Sequence, residues 1–101
     1  MPFRHVVMFK WADHVSPEHI EKVSAGLSEL PGEIDVIRSY VHGADVGVSE
    51  GTYDYCVVAD FDNVDDYYTY RDHPQHVLLI AENIKDHVTD RAAIQYQTGP
   101  R

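Results

Sequence analysis

The chain has 101 residues, which sets an expectation of one domain around one modest hydrophobic core. Apolar residues make up 44% and charged residues 25%, an ordinary balance with no signature of disorder or low complexity. The net charge of −9, from 17 acidic against 8 basic residues, argues against nucleic acid or an anionic membrane as partner. Phosphates are held by clustered Lys and Arg, and the bases here are scattered along the sequence.

Phe3 to Trp11 alternates, with Phe3, His5, Val7, Phe9 and Trp11 on one face and Arg4, Val6, Met8 and Lys10 on the other. Both faces carry apolar side chains, so both are expected to be covered, one of them by a partner subunit. Ser16-Pro17-Glu18 is a helix start: a Ser cap, Pro at the first helical position and an acid in the first turn. Ile20, Val23, Leu27 and Leu30 then form one buried stripe, and Leu30-Pro31-Gly32 is expected to end the helix.

Val36 to His42 reads as a second strand, followed by a turn at Gly43-Ala44-Asp45-Val46-Gly47 and a polar loop. Tyr53 to Phe61 is a third strand, with Tyr53, Tyr55, Val57, Ala59 and Phe61 sharing a face. Cys56, the chain's single cysteine, lies in that apolar run and is expected to be an inert buried thiol. A single cysteine fits a reducing cytoplasm, no signal peptide is visible, and no apolar run approaches membrane-spanning length.

Asn63 caps a helix from Val64 to about Arg71, with Asp65 and Asp66 in its first turn. Pro74 disfavours helical geometry at His73 but suits the first turn of a new helix, so the helix is expected to break at Asp72-His73 and restart toward Ile84. Val88 to Gln97 closes the chain as a fourth strand, with Ala92, Ile94 and Tyr96 on one face.

The order β-α-β-β-α-β is that of the ferredoxin-like split βαβ fold: an α+β domain whose four-stranded antiparallel sheet carries its helices on one face. The free sheet face is expected to carry Val6, Met8, Ile37, Val41, Cys56 and Val58. An apolar face on so acidic a protein must be covered, and sheet-against-sheet homodimerisation covers it with a closed two-fold contact.

The stretch Tyr70-Arg71-Asp72-His73-Pro74-Gln75-His76 concentrates proton-transfer side chains. His76 reads either as a general acid or base, oriented or assisted by Tyr70, or as a structural histidine bonded to a backbone carbonyl at the helix break. His73, directly before proline, is the weaker candidate and suits a cap. His5 shares its strand face with Val7 and Phe9, under the helices, and there lines a pocket or sits satisfied in the core. His14, His19 and His42 read as surface residues. His73-Pro74-Gln75-His76 spans a proline, which spoils the one-face spacing of a zinc helix, and no P-loop, dinucleotide fingerprint or Ser-His-Asp signature is present. No metal and no cofactor are expected.

Arg4-His5-Val6-Val7-Met8-Phe9-Lys10, the Gly43 to Gly47 turn, Tyr53-Asp54 before an apolar strand, and His73-Pro74-Gln75-His76 occur in an order that resembles the stress-responsive A/B barrel (Dabb) family. The resemblance spans essentially the whole chain, residues 1–101, and implies a dimer in which two ferredoxin-like sheets form an α/β barrel. Among that family's plant polyketide cyclases, the catalytic Tyr and His resemble Tyr70 and His76, and a pocket histidine resembles His5. The pocket aliphatics would correspond to Val7, Phe9 and Val57. Val23 and Ser24 replace two aromatic pocket residues of that enzyme type, Leu27 a tyrosine and His87 a tryptophan. The resemblance therefore implies a more polar, differently shaped pocket, with Val23, Leu27, His73 and His87 as further substrate contacts. Two functions follow as expectations: a cofactor-independent enzyme acting on a small carbonyl-containing molecule, or a non-catalytic dimer that binds a small ligand or is structural.

Overall fold

A computed structural model describes residues 2–99. It runs β1 (Phe3–Trp11), α1 (Pro17–Glu33), β2 (Ser39–Ala44), β3 (Tyr55–Phe61), α2 (Val64–Asp72), α3 (Pro74–Leu79) and β4 (Val88–Gln97). A π-helical turn, Ile80–Ile84, joins α3 to the segment before β4. The strands form one antiparallel sheet in the order β2-β3-β1-β4, with the helices on one face. This is the ferredoxin-like arrangement.

The central strands follow their alternation. Tyr55, Val57, Ala59 and Phe61 of β3 are buried, as are Phe3, His5 and Phe9 of β1. Register pairs Phe3 with Phe61, His5 with Ala59 and Val7 with Val57, so one continuous apolar floor faces the helices. Val23, Leu27 and Leu30 of α1 and Tyr70 of α2 close over it.

Local chemistry starts the helices where expected. The Ser16 hydroxyl accepts from the His19 N–H at 3.1 Å, and the Asn63 carbonyl accepts from the Asp66 N–H at 2.8 Å. His73 holds an extended backbone between α2 and α3, and Pro74 opens α3. Gly26 lets α3 approach α1: a Cβ there would lie 2.7 Å from Leu79 Cδ1, so the leucine would have to rotate away.

Four boundaries differ from expectation. Helix α1 runs through Pro31 to Glu33, because a proline this close to the end forfeits one bond to Leu27 while Ile34 N–H still closes on Leu30 O at 2.9 Å. Strand β2 begins at Ser39, not Val36. Ile34 and Ile37 are both buried beneath a turn closed by Ile37 N–H to Ile34 O, so Ile37 belongs to the core and not to the free sheet face. Gly43 and Ala44 pair with Cys56 and Tyr55 as the end of β2, and β3 begins at Tyr55 rather than Tyr53. The restarted helix widens into the π turn before reaching Ile84.

The open sheet face shows cross-strand rows. Val41, Val58, Val6 and Ile94 align across all four strands, and Cys56, Met8 and Ala92 form the next row. Val41 and Ile94 are 59% and 61% exposed. Arg4 grips its cross-strand neighbour Asp60 through two bonds, of 2.7 and 2.9 Å, and leans on Tyr96. Cys56 is half-buried in this face, and burial pushes its thiol further from ionisation. Among the described residues, no helix is long and apolar enough to cross a membrane.

Candidate active-site cavity

Between the sheet and the helices the packing leaves a cavity of about 410 Å³, within the range of small-molecule sites. Its floor is Val7, Phe9 and Val57; Leu27, Ile80, Ile84 and Val88 close the sides. His5, Tyr70 and His76 lie on its wall together, so the geometry brings these three expected site residues to one space. The π turn contributes to the rim, a position such turns often take at working sites.

His76 stands on the first turns of α3, and its Nδ1 lies 2.9 Å from the Arg71 carbonyl. A carbonyl only accepts, so Nδ1 carries the proton and the neutral ring keeps Nε2 as a bare base. Burial lowers the pKa of His76, opposed by the Arg71 carbonyl and by Asp72. Its ring lies 4.2 Å from that of Tyr70, centre to centre. The two rings pack against each other at a tilt of 38° and share no hydrogen bond, which corrects the simplest picture of a Tyr–His pair. The Tyr70 hydroxyl instead meets Tyr40 at 2.8 Å. Burial pushes the Tyr70 phenol up to about 12 and the Tyr40 phenol up as well, so both stay protonated.

His5 is 5% exposed and packs against Tyr67 at 4.9 Å between ring centres. Gln95, its register partner on β4, donates from its side-chain amide to His5 Nδ1 at 2.9 Å. The proton of the neutral ring therefore sits on Nε2, the opposite tautomer to His76. Burial first, then the charges of Arg91 and His76, push His5 down to about 4, so it is neutral near pH 7.

Three expected contacts lie elsewhere. Val23 is fully buried in the core and lines no cavity wall. His73 turns its Nδ1 back to accept from the Gln75 N–H at 3.2 Å, capping α3. His87 lies in the turn before β4, stacked on His19 at 4.2 Å and 5.3 Å from His14. His19 is not a free surface residue: its Nε2 donates to the Asn83 carbonyl at 2.9 Å. Nor is His42, which joins Ser28 at 2.9 Å to Tyr55 at 2.7 Å and ties α1 to β2.

Other wall residues escaped the sequence reading. Tyr40 was visible as an inward position of β2, but its reach across to Tyr70 had no sequence signal. Arg71, Lys85 and Arg91, scattered in sequence, converge on the cavity. Arg91 was implied by the alternation of β4, where it falls opposite the Ala92, Ile94 and Tyr96 face.

Residues 3–98 match the family model of the stress responsive A/B barrel domain. A protein of Arabidopsis thaliana, the stress-response A/B barrel domain-containing protein HS1, is 30% identical over 78 residues, covering 75% of this chain and 72% of its own. The chain belongs to the stress-responsive A/B barrel family. Its fold matches a crystal structure of a dimeric ferredoxin-like protein of unknown function from Thermobifida fusca, with a TM-score of 0.91 and 41% identity over 97% of this chain and 92% of that one. A hydroxynitrile lyase from Passiflora edulis shares the fold, with a TM-score of 0.85 at 15% identity over 99% of this chain and 95% of that one.

Proposed function

We propose that this protein is a cofactor-independent enzyme that moves a proton on a small, carbonyl-containing, polyketide-like molecule held in the cavity. The observation that carries the reading is the pair of opposite tautomers, a bare Nε2 on His76 and an N–H on His5, on the wall of one largely apolar space. A neutral base and a neutral donor in a space of low dielectric are what proton abstraction beside a carbonyl requires.

In this reading His76 Nε2 takes a proton from the carbon next to the carbonyl. The C–H bond breaks, an N–H bond forms, and the electron pair moves onto the carbonyl oxygen. With Tyr40 donating to its oxygen, Tyr70 keeps its own O–H free for that developing charge, and His5 Nε2–H offers a second neutral donor. The imidazolium then returns the proton to the same or another carbon, or the enolate attacks a second carbonyl within the molecule. A protein of this fold is named as a lyase, which agrees with a working cavity but identifies no substrate.

The working form is proposed to be a homodimer joined through the open sheet face. The aliphatic rows there need a cover, and a 41% identical structure is described as dimeric. A second reading, a non-catalytic ligand-binding dimer, draws on the ties of His76 to Arg71 and of Tyr70 to Tyr40, which would also serve structure alone.

Deuterium uptake separates the two. In D₂O, the protein should accelerate exchange at carbons beside the carbonyl in a panel of small ketones and keto acids followed by NMR, and His76→Ala should abolish it. Equal exchange with both proteins, or none with either, would refute the catalytic reading.

A further inference from the structure

The cavity's charge is the reverse of the chain's. The protein carries 17 acidic and eight basic residues, yet among the described residues no Asp or Glu lines the cavity, whereas three basic ones do: Arg71, Lys85 and Arg91. Arg71 is already matched, gripping Asp72 at 2.8 and 3.1 Å and lying over the Tyr68 ring. Lys85 and Arg91 make no ion pair among the described residues. By contrast, both other arginines whose surroundings are described, Arg4 and Arg38, hold carboxylates.

Both open cations have a defined address. Arg91 is the register partner of Phe9, so it stands on the cavity side of β4, four residues from Gln95, which fixes His5. Lys85 follows the π turn, its N–H closing on Ile80 O at 2.8 Å, and that turn also carries the wall residue Ile84. A strand edge and a helix end thus present a guanidinium fork and an ammonium to one apolar space. The depressed His5 pKa, to which Arg91 contributes, agrees with a net positive field inside.

We infer that the cavity takes a molecule with an apolar body and a carboxylate end, the carboxylate held by Arg91 and Lys85 and the body lying against Val7, Phe9, Leu27 and Ile84. A guanidinium fork matches the two carboxylate oxygens, and the apolar walls receive the body of the molecule. The inference rests on the enzymatic reading of the cavity and specifies its substrate class as a carboxylic acid with a reactive carbonyl.

Octanoate and octanamide are suitable probes, having equal chains and differing in charge. Backbone amide NMR titration of the whole chain should show octanoate binding about tenfold or more tightly than octanamide, with shifts at Val7, Ile84, Lys85 and Arg91. In the double variant Lys85→Gln, Arg91→Gln, octanoate should fall to the affinity of octanamide, which should itself be unchanged. Both changes lie on exposed side chains, and in the unaltered protein added salt should weaken octanoate alone. Equal affinity for the two probes, an octanoate affinity indifferent to the double substitution, or no shift with either at millimolar concentration would overturn the inference. Binding needs no turnover, so these outcomes are independent of the exchange assay. A protein that exchanges protons yet treats acid and amide alike loses only the carboxylate end. One that selects octanoate but exchanges nothing loses only the catalysis.

Discussion

Adjacent residues of β1 serve two unlike environments. Phe3, His5, Val7 and Phe9 face the helices, where aromatic and imidazole rings surround an unfilled space. Arg4, Val6 and Met8 face outward, where aliphatic rows and one cross-strand ion pair leave a broad apolar surface with a hollow beside Met8, Gly43 and Cys56. A face built to be covered by a copy of itself needs matched aliphatic rows that a second copy can meet. A face built for chemistry needs fixed polar atoms around a gap that the core declined to fill. The contrast is what the proposed division of labour requires, with assembly on one side of the sheet and proton transfer on the other.

The largest expected effect comes from placing a charge on the outer face. Val58→Asp should abolish dimerisation in light scattering, because an unpaired carboxylate at the centre of a dry contact costs more than the contact returns. The monomer's cavity should still titrate with small acids. His76→Ala should lower turnover about 10²–10⁴-fold, the usual span for a general base, with association unchanged.

His5→Gln should alter the pH dependence of stability. The folded pKa of about 4 lies below the unfolded value of 6.5, so between these pH values the unfolded chain binds more protons than the folded one. Stability from this group is complete above pH 6.5 and declines as pH falls toward 4, by about 3 kcal/mol. Urea unfolding across that window should lose that much less in His5→Gln than in the parent. Smallest is Tyr40→Phe, which removes the partner of Tyr70. It should cost about 1 kcal/mol in urea unfolding, with a slower exchange rate and an unchanged dimer.

The two sides were not equally legible. The outer face followed from alternation alone, since a period of two assigns every β1 and β3 side chain once the strand is recognised. The error there was Ile37, where apolar spacing continued past the strand into a turn that the core needs. The inner face was legible only in part. Ser16, Asn63 and Pro74 announced the helix starts, and His5, Tyr70 and His76, singled out by residue type and pattern, all line one cavity in the structure. Their bonding was not readable, because Tyr40, Arg71 and Gln95 reach them across long sequence separations or through backbone atoms. His73 caps α3, as its place before Pro74 suggested, whereas His87 stacks on His19 away from the cavity: a histidine's neighbours, rather than its presence in a motif, decide whether it faces a ligand, a backbone amide or another ring.

The central claim, that one cavity holds a bare imidazole nitrogen and an imidazole N–H, is open to direct measurement. Long-range ¹H–¹⁵N correlation spectra of the imidazole rings at pH 7 report which nitrogen carries each proton. The account predicts neutral rings of opposite kind, His76 protonated on Nδ1 and His5 on Nε2. A cationic His76, or His76 protonated on Nε2, would contradict it.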